Sequence, residues 1–154
     1  MKLRKKVVIY ENTKIGKGPI IEDFVILGKP PRGSKPGQLE LIIGDFPLLR
    51  SGTIIYAGNT IGNNFRTGDY ARIRENNKIG DDVSIGAGSV VERESEIRNN
   101  ARIHSNCFIC EYTVIAENAW IGPGVIMTNV LHPPCPAFKK YGPDAEKNAA
   151  MGQS

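Results

Sequence analysis

His104 and His132 are the only two imidazoles in this 154-residue chain. Imidazole is the side chain best suited to taking a proton near neutral pH, so both are candidates for a general base. His104 directly follows Ile103, and His132 lies in Val130-Leu-His-Pro-Pro134. Each also has a structural reading: His104 supporting an interface, His132 ordering its loop. Arg72 and Arg74 bracket Ile73. A guanidinium grips phosphate through paired hydrogen bonds, and salt bridges across a subunit seam to Glu75, Asp81 or Glu92 are an equally good use of these two. Trp120 precedes Ile121 at an outward position, where a large ring marks an interface or a stacked ligand. Cys107 and Cys110 form Cys-x-x-Cys, with His132 and Cys135 downstream. Zinc needs converging ligands, and the repeat described next sets Cys107 inward and Cys110 after the inward Ile109, on opposite sides of one wall. No metal is expected.

The elements that must position these groups repeat every six residues. Stepping by six from Ile43 to Met127 gives fifteen positions, of which thirteen are Ile, Leu or Val; the exceptions are Thr67 and Met127. Two residues earlier the side chain is usually small, as at Thr53, Ala71, Ser89, Ser95 and Ala101. A helix would repeat near 3.6 and a strand at 2, so neither explains a strict six. Six residues make a short strand and a corner, and three such sides close a coil of eighteen. Ile61-Gly-Asn-Asn64, Ile79-Gly-Asp-Asp82, Ile97-Arg-Asn-Asn100 and Ile115-Ala-Glu-Asn118 recur at that longer spacing. Each ends in Asn or Asp, which tolerate the left-handed backbone of a tight corner.

The fold class expected is therefore all-β: a left-handed parallel β-helix of about six coils, spanning residues 1–127. The same register appears earlier at Ile9, Ile15, Ile21 and Leu27, and a Pro/Gly-rich insertion at 28–37 displaces it before Ile43. Residues 128–154 read as an irregular loop and tail, expected either to fold back as a cap on the last coil or to be cut short of a longer chain. Composition fits one domain with no apolar run long enough for a bilayer. Three cysteines without a paired framework fit a reducing cytoplasm. The net charge of +4 is scattered rather than clustered, which argues against nucleic acid as a partner and suits small anionic ligands.

The coil sequence resembles the hexapeptide-repeat acyltransferases, especially a branch of sugar and sugar-nucleotide acetyltransferases. The resemblance rests on Val25-Ile-Leu-Gly-Lys-Pro-Pro31, Arg50-Ser-Gly-Thr-Ile-Ile-Tyr-Ala-Gly58, Ile73-Arg-Glu-Asn76, Arg102-Ile-His-Ser-Asn106, Trp120-Ile-Gly-Pro123 and Thr128-Asn-Val-Leu-His-Pro133. It implies a homotrimer with active sites in the clefts between subunits. There acetyl-CoA, or a close analogue, would pass its acyl group to a sugar or a nucleotide-linked amino sugar. On this resemblance His104 and His132 are the catalytic candidates. Asp69, Arg74, Glu75, Asn76, Asn106 and Asn129 are candidates for substrate contact, and Trp120 and Gly122 for cofactor contact. Relatives commonly read Thr-Gly-His where this chain has Thr67-Gly-Asp69. Asp69 is then either a group that positions an amine or a solvated corner carboxylate. The alternative function is a trimeric β-helix scaffold without catalytic activity.

Overall fold

The computed structural model describes residues 6–129, and every regular element among them is a β-strand. The first coil comprises β1 (Val8–Ile9), β2 (Thr13–Ile15) and β3 (Ile20–Ile21); the second comprises β4 (Ile26–Lys29), β5 (Leu41–Ile43) and β6 (Leu48–Leu49). The third holds β7 (Ile54–Tyr56), β8 (Thr60–Ile61) and β9 (Arg66–Thr67); the fourth holds β10 (Arg72–Ile73), β11 (Lys78–Ile79) and β12 (Ser84–Ile85). In the fifth are β13 (Val90–Val91), β14 (Glu96–Ile97) and β15 (Arg102–Ile103), and in the sixth β16 (Phe108–Ile109), β17 (Val114–Ile115) and β18 (Trp120–Ile121). Each strand pairs in parallel with its counterparts in neighbouring coils, giving three six-stranded sheets: sheet A containing β1, sheet B containing β2 and sheet C containing β3. The molecule is a parallel β-solenoid of about six turns, as the six-residue period predicts.

The aliphatic column fills the interior. Leu27, Leu49, Ile55, Ile73, Val91 and Ile109 are fully buried, and the small partners Thr53, Ala71, Ser89 and Ala101 are buried beside them. Burying each large aliphatic contributes about 1.5–3 kcal/mol, which offsets the ordering of very short strands. Thr67, the one polar member of the column within the coils, is explained by Phe65. That ring is fully buried at a position where other coils carry small residues. A large residue and a small one have exchanged places, so the cross-section stays filled. The Thr67 hydroxyl lies 2.8 Å from that of Thr53 and accepts the Arg50 amide at 3.1 Å.

Two ladders of polar side chains tie coil to coil. Inside the edge between sheets A and B, the Asn77 amide donates to Asn59 Oδ1 and the Ser95 amide to Asn77 Oδ1, both at 2.8 Å. Nδ2 of Asn59 and of Asn77 both donate to the Arg74 carbonyl. At the edge between sheets B and C the backbone amides of Asp45, Asn63 and Asp81 each donate to the side-chain oxygen one coil on, at 2.6–2.9 Å. The expected corners Asn64, Asp82, Asn100 and Asn118 have φ between 54 and 59°. Phe46, Tyr70, Glu94 and Tyr112 adopt the same conformation at other corners. Tyr70 does so above Gly52, where a Cβ would come within 2.5 Å of its ring. The aromatic roofs a glycine corner.

Gly28 is the surplus residue at a register shift within β4, where Leu27 pairs with Ile55 and Lys29 with Tyr56 of β7. The loop joins Lys29 to Leu41, and Asn12 Nδ2 donates to its Gly37 carbonyl at 3.2 Å. Cys107 and Cys110 are both buried, Cys107 within the aliphatic core and Cys110 beside Glu92 and Met127 with its sulfur 3.2 Å from Thr113 Oγ1.

Candidate functional site

The candidates gather at the two edges that border sheet A. At the edge between sheets C and A stand Asp69, His104 and Asn106, with Trp120 and Gly122 on sheet C beside them. His104 follows inward Ile103, so its imidazole is exposed, and it meets the Trp120 ring edge-to-face at 4.7 Å between centroids and 63°. The same position in neighbouring coils is Gly68, Gly86 and Gly122, so the imidazole is bordered by positions without side chains. Coil stacking requires this at Gly86, where a Cβ would lie 2.4 Å from the His104 carbonyl carbon. Asp69 presents an exposed carboxylate, while its carbonyl accepts the Gly88 amide at 2.9 Å. Asn106 is an exposed corner residue with φ 59°.

The second group sits at the edge between sheets A and B. Arg74 grips Glu75 through two bonds, Nε to Oε2 at 2.9 Å and Nη2 to Oε1 at 3.0 Å, and approaches Glu92 at 3.5 Å. These ion pairs lie within one chain. The guanidinium also rests on the Tyr56 ring, 5.1 Å from its centroid, with Lys29 at 5.4 Å from the same ring. Burial pushes the Glu75 carboxyl up, but its bonds to Arg74, a backbone hydrogen bond and the charges of Arg74 and Arg93 together outweigh that and leave it below the usual carboxylate range. The bonds between Glu75 and Arg74 also raise Arg74. Asn76 donates to Glu94 at 2.9 Å and Asn129 to the Glu111 carbonyl. His132 and Cys135 lie outside the described residues. So does the rest of the Val130–Pro134 loop. Among the described residues no three His, Cys, Asp or Glu side chains gather in a metal-binding group.

One chain therefore offers an exposed imidazole on one edge and a polar, ion-paired cluster on another, and does not bring them together. Sequence reasoning overlooked two arginines, Arg66 and Arg102, on the outer face of sheet C. The signal was available, since both directly precede inward positions thirty-six residues apart.

Residues 60–93, the third to fifth coils, match the family model described as bacterial transferase hexapeptide (six repeats). These coils carry the hexapeptide repeat that the model describes. Similar proteins include the bifunctional protein GlmU of Buchnera aphidicola subsp. Acyrthosiphon pisum (strain Tuc7), 28% identical over 157 aligned residues, covering 91% of this chain. The acyl-[acyl-carrier-protein]--UDP-N-acetylglucosamine O-acyltransferase of Caulobacter vibrioides is 27% identical over 124 residues, covering 79% of this chain. GlmU of Anaplasma marginale (strain Florida) is 27% identical over 153 residues. This hexapeptide-repeat chain spans only 29%, 38% and 36% of those three proteins. At this low identity it is similar to one protein named as an acyltransferase of UDP-N-acetylglucosamine. No helix among the described residues is long and apolar enough to cross a membrane.

Proposed function

We propose that the protein is an acyl-CoA-dependent acyltransferase, acting in the cytoplasm as a homotrimer whose active sites lie between subunits. Acetyl-CoA is the donor and a sugar or nucleotide-linked amino sugar the acceptor. The observation that carries this reading is the split of the candidate residues between the two edges of sheet A. The outward column of that sheet reads Val8, Ile26, Ile54, Arg72, Val90, Phe108 and Ile126, apolar at every step but one. An apolar stripe of this kind favours burial against a partner. A cyclic trimer joins two different patches at each interface. With sheet A turned toward the threefold axis, the edge of one copy bearing His104 faces the next copy's edge bearing Glu75 and Asn76. A cleft assembled this way holds a base, hydrogen-bonding groups for a sugar, and the exposed Trp120 for a cofactor.

In that cleft His104 takes the proton from the attacking hydroxyl or ammonium group, the acceptor attacks the thioester carbonyl, and CoA leaves as the thiol. The test is release of free CoA thiol from acetyl-CoA in the presence of amino-sugar nucleotides. His104→Ala should lower turnover by roughly 10²–10⁴-fold with CoA affinity nearly unchanged. Full turnover in a stable His104→Ala variant would remove this residue from the chemistry and leave His132 to be tested. A second reading, a non-catalytic trimeric scaffold, is favoured by Asp69 standing where an imidazole is common in the resembling family. No thermal shift and no heat at millimolar CoA would decide for it, because a ligand binding only the folded state must stabilise that state.

A further inference from the structure

We infer that the outer groove of sheet C is a nucleoside-diphosphate subsite, in which Arg66 and Arg102 straddle the phosphates, Ser84 donates between them and Trp120 stacks the base. The inference rests on the acyltransferase reading only for the choice of the two nucleotides tested below.

The outward column of sheet C reads Ile20, Leu48, Arg66, Ser84, Arg102 and Trp120, in register from coil to coil. Parallel strands lie about 4.8 Å apart, so the two arginines stand about 10 Å apart at their Cα atoms, with the serine hydroxyl midway. Guanidinium groups on stems of that reach can converge on two linked phosphates, each through paired hydrogen bonds. Neither arginine has a carboxylate or side-chain acceptor among the described residues. Arg50, Arg74, Arg93 and Arg98 are each held by a glutamate. The adjacent column, Gly68 and Gly86, lacks side chains, which leaves a groove of about 280 Å³ lined by Arg66, Ser84, Arg102 and His104 and by no acidic residue. The groove on sheet B, about 430 Å³, makes the contrast: its Lys78 and Arg98 are matched by Glu96 and Glu117. Of these two grooves, only the one on sheet C is lined by positive charge without an acidic residue. One coil beyond Arg102 in the same column, Trp120 is 62% exposed and meets His104 edge-to-face, a flat ring open to a base.

The test is calorimetric titration of the full chain with inorganic pyrophosphate, CoA and UDP-N-acetylglucosamine. Wild type should bind pyrophosphate, and Arg66→Gln or Arg102→Gln should weaken it by about 10–100-fold, the loss of one charge-assisted pair. Arg98→Gln, on sheet B, should leave it unchanged. The nucleotide that shares the arginine losses identifies the occupant: CoA makes this the donor subsite, UDP-N-acetylglucosamine the acceptor subsite. Trp120→Ala should weaken that nucleotide but not pyrophosphate. Both arginine variants should melt with wild type, since neither side chain holds a partner. Failure of wild type to bind pyrophosphate, or equal binding by both variants, would overturn the subsite. Acyl transfer retained alongside equal binding would overturn the subsite alone. Binding lost in the variants without transfer to any acceptor would overturn the acyltransferase reading and leave the subsite standing.

Discussion

Adding one methyl group to Gly86 or to Gly122 is the same chemical change in the same column of sheet C, and the structure assigns the two very different costs. A Cβ on Gly86 would stand 2.4 Å from both the His104 carbonyl carbon and the Ser105 nitrogen. Those are backbone atoms of the next coil and cannot rotate away. Restoring an ordinary contact near 3.5 Å requires the coils to part by about 1 Å. The Gly86 amide bond to the Ile103 carbonyl, 2.7 Å, and the Asn106 amide bond to the Ala87 carbonyl, 2.8 Å, would then stretch beyond hydrogen-bond range. Each loss costs about 0.5–1.5 kcal/mol net, more if the amide is left dry, so Gly86→Ala should destabilise by about 2–4 kcal/mol. At Gly122 the new Cβ meets only the Trp120 ring, at 3.4 and 3.6 Å. Neither glycine has positive φ. Gly122→Ala should therefore be neutral or stabilise by up to about 1 kcal/mol, through reduced freedom of the unfolded chain. Urea denaturation at one fixed protein concentration measures both. Equal stability of the two variants would refute the argument that backbone stacking fixes Gly86.

Three further outcomes are expected. Asn77→Leu leaves the buried Ser95 amide without its acceptor and should cost about 2–4 kcal/mol by the same denaturation assay, well beyond the half kilocalorie typical of surface changes. Folding lowers the Glu75 carboxyl below its reference of 4.5, so its contribution is fully present above that pH and fades as pH falls through the lower folded value. Glu75→Gln should accordingly be less stable than wild type at neutral pH, and the gap in melting temperature should close on acidification below 4.5; a constant gap would refute it. Ile54→Glu on the apolar column of sheet A should dissociate the assembly in light scattering while Ile42→Glu on sheet B does not, and a wild-type monomer at micromolar concentration would sink the trimer.

Much of the fold is legible in the chain because a solenoid repeats one solution. The aliphatic step of six names the buried column, and the Asn and Asp corners of one edge are readable residue by residue. What escapes are positions where stacking overrides residue type. Phe46 and Tyr70 occupy left-handed corners that no propensity assigns to aromatics, because each covers a glycine of the preceding coil, Gly18 and Gly52. Asn59 and Asn77 sit at inward positions that look like errors until their ladder of amides is seen. Phe65 explains Thr67 only once their shared cross-section is visible. Sequence places His104 outward correctly, but whether it shares a cleft with Glu75 depends on a second copy, which one chain's periodicity does not encode. Arg66 and Arg102 were legible as outward; their lack of acidic partners was not, since pairing depends on which coils lie above and below.

Nearly every contact between coils joins a residue to the one eighteen places later, and this makes chain length a quantised property. Removing or duplicating eighteen residues returns every side chain to its own face, with each aliphatic still over an aliphatic and each corner over a corner. A change of six or twelve keeps the aliphatics inward but moves each side chain to another sheet, and a length change that is not a multiple of six turns the inward column toward solvent unless the surplus leaves the solenoid at a corner. Of the ten surplus residues between Leu27 and Leu41, Gly28 is absorbed as an irregularity in β4 and the rest were accommodated in that second way, extruded at one edge with the register resumed at Leu41. Homologous chains should thus differ in length by whole coils or by loops at corners, and an alignment gap falling within a strand would signal misalignment rather than history.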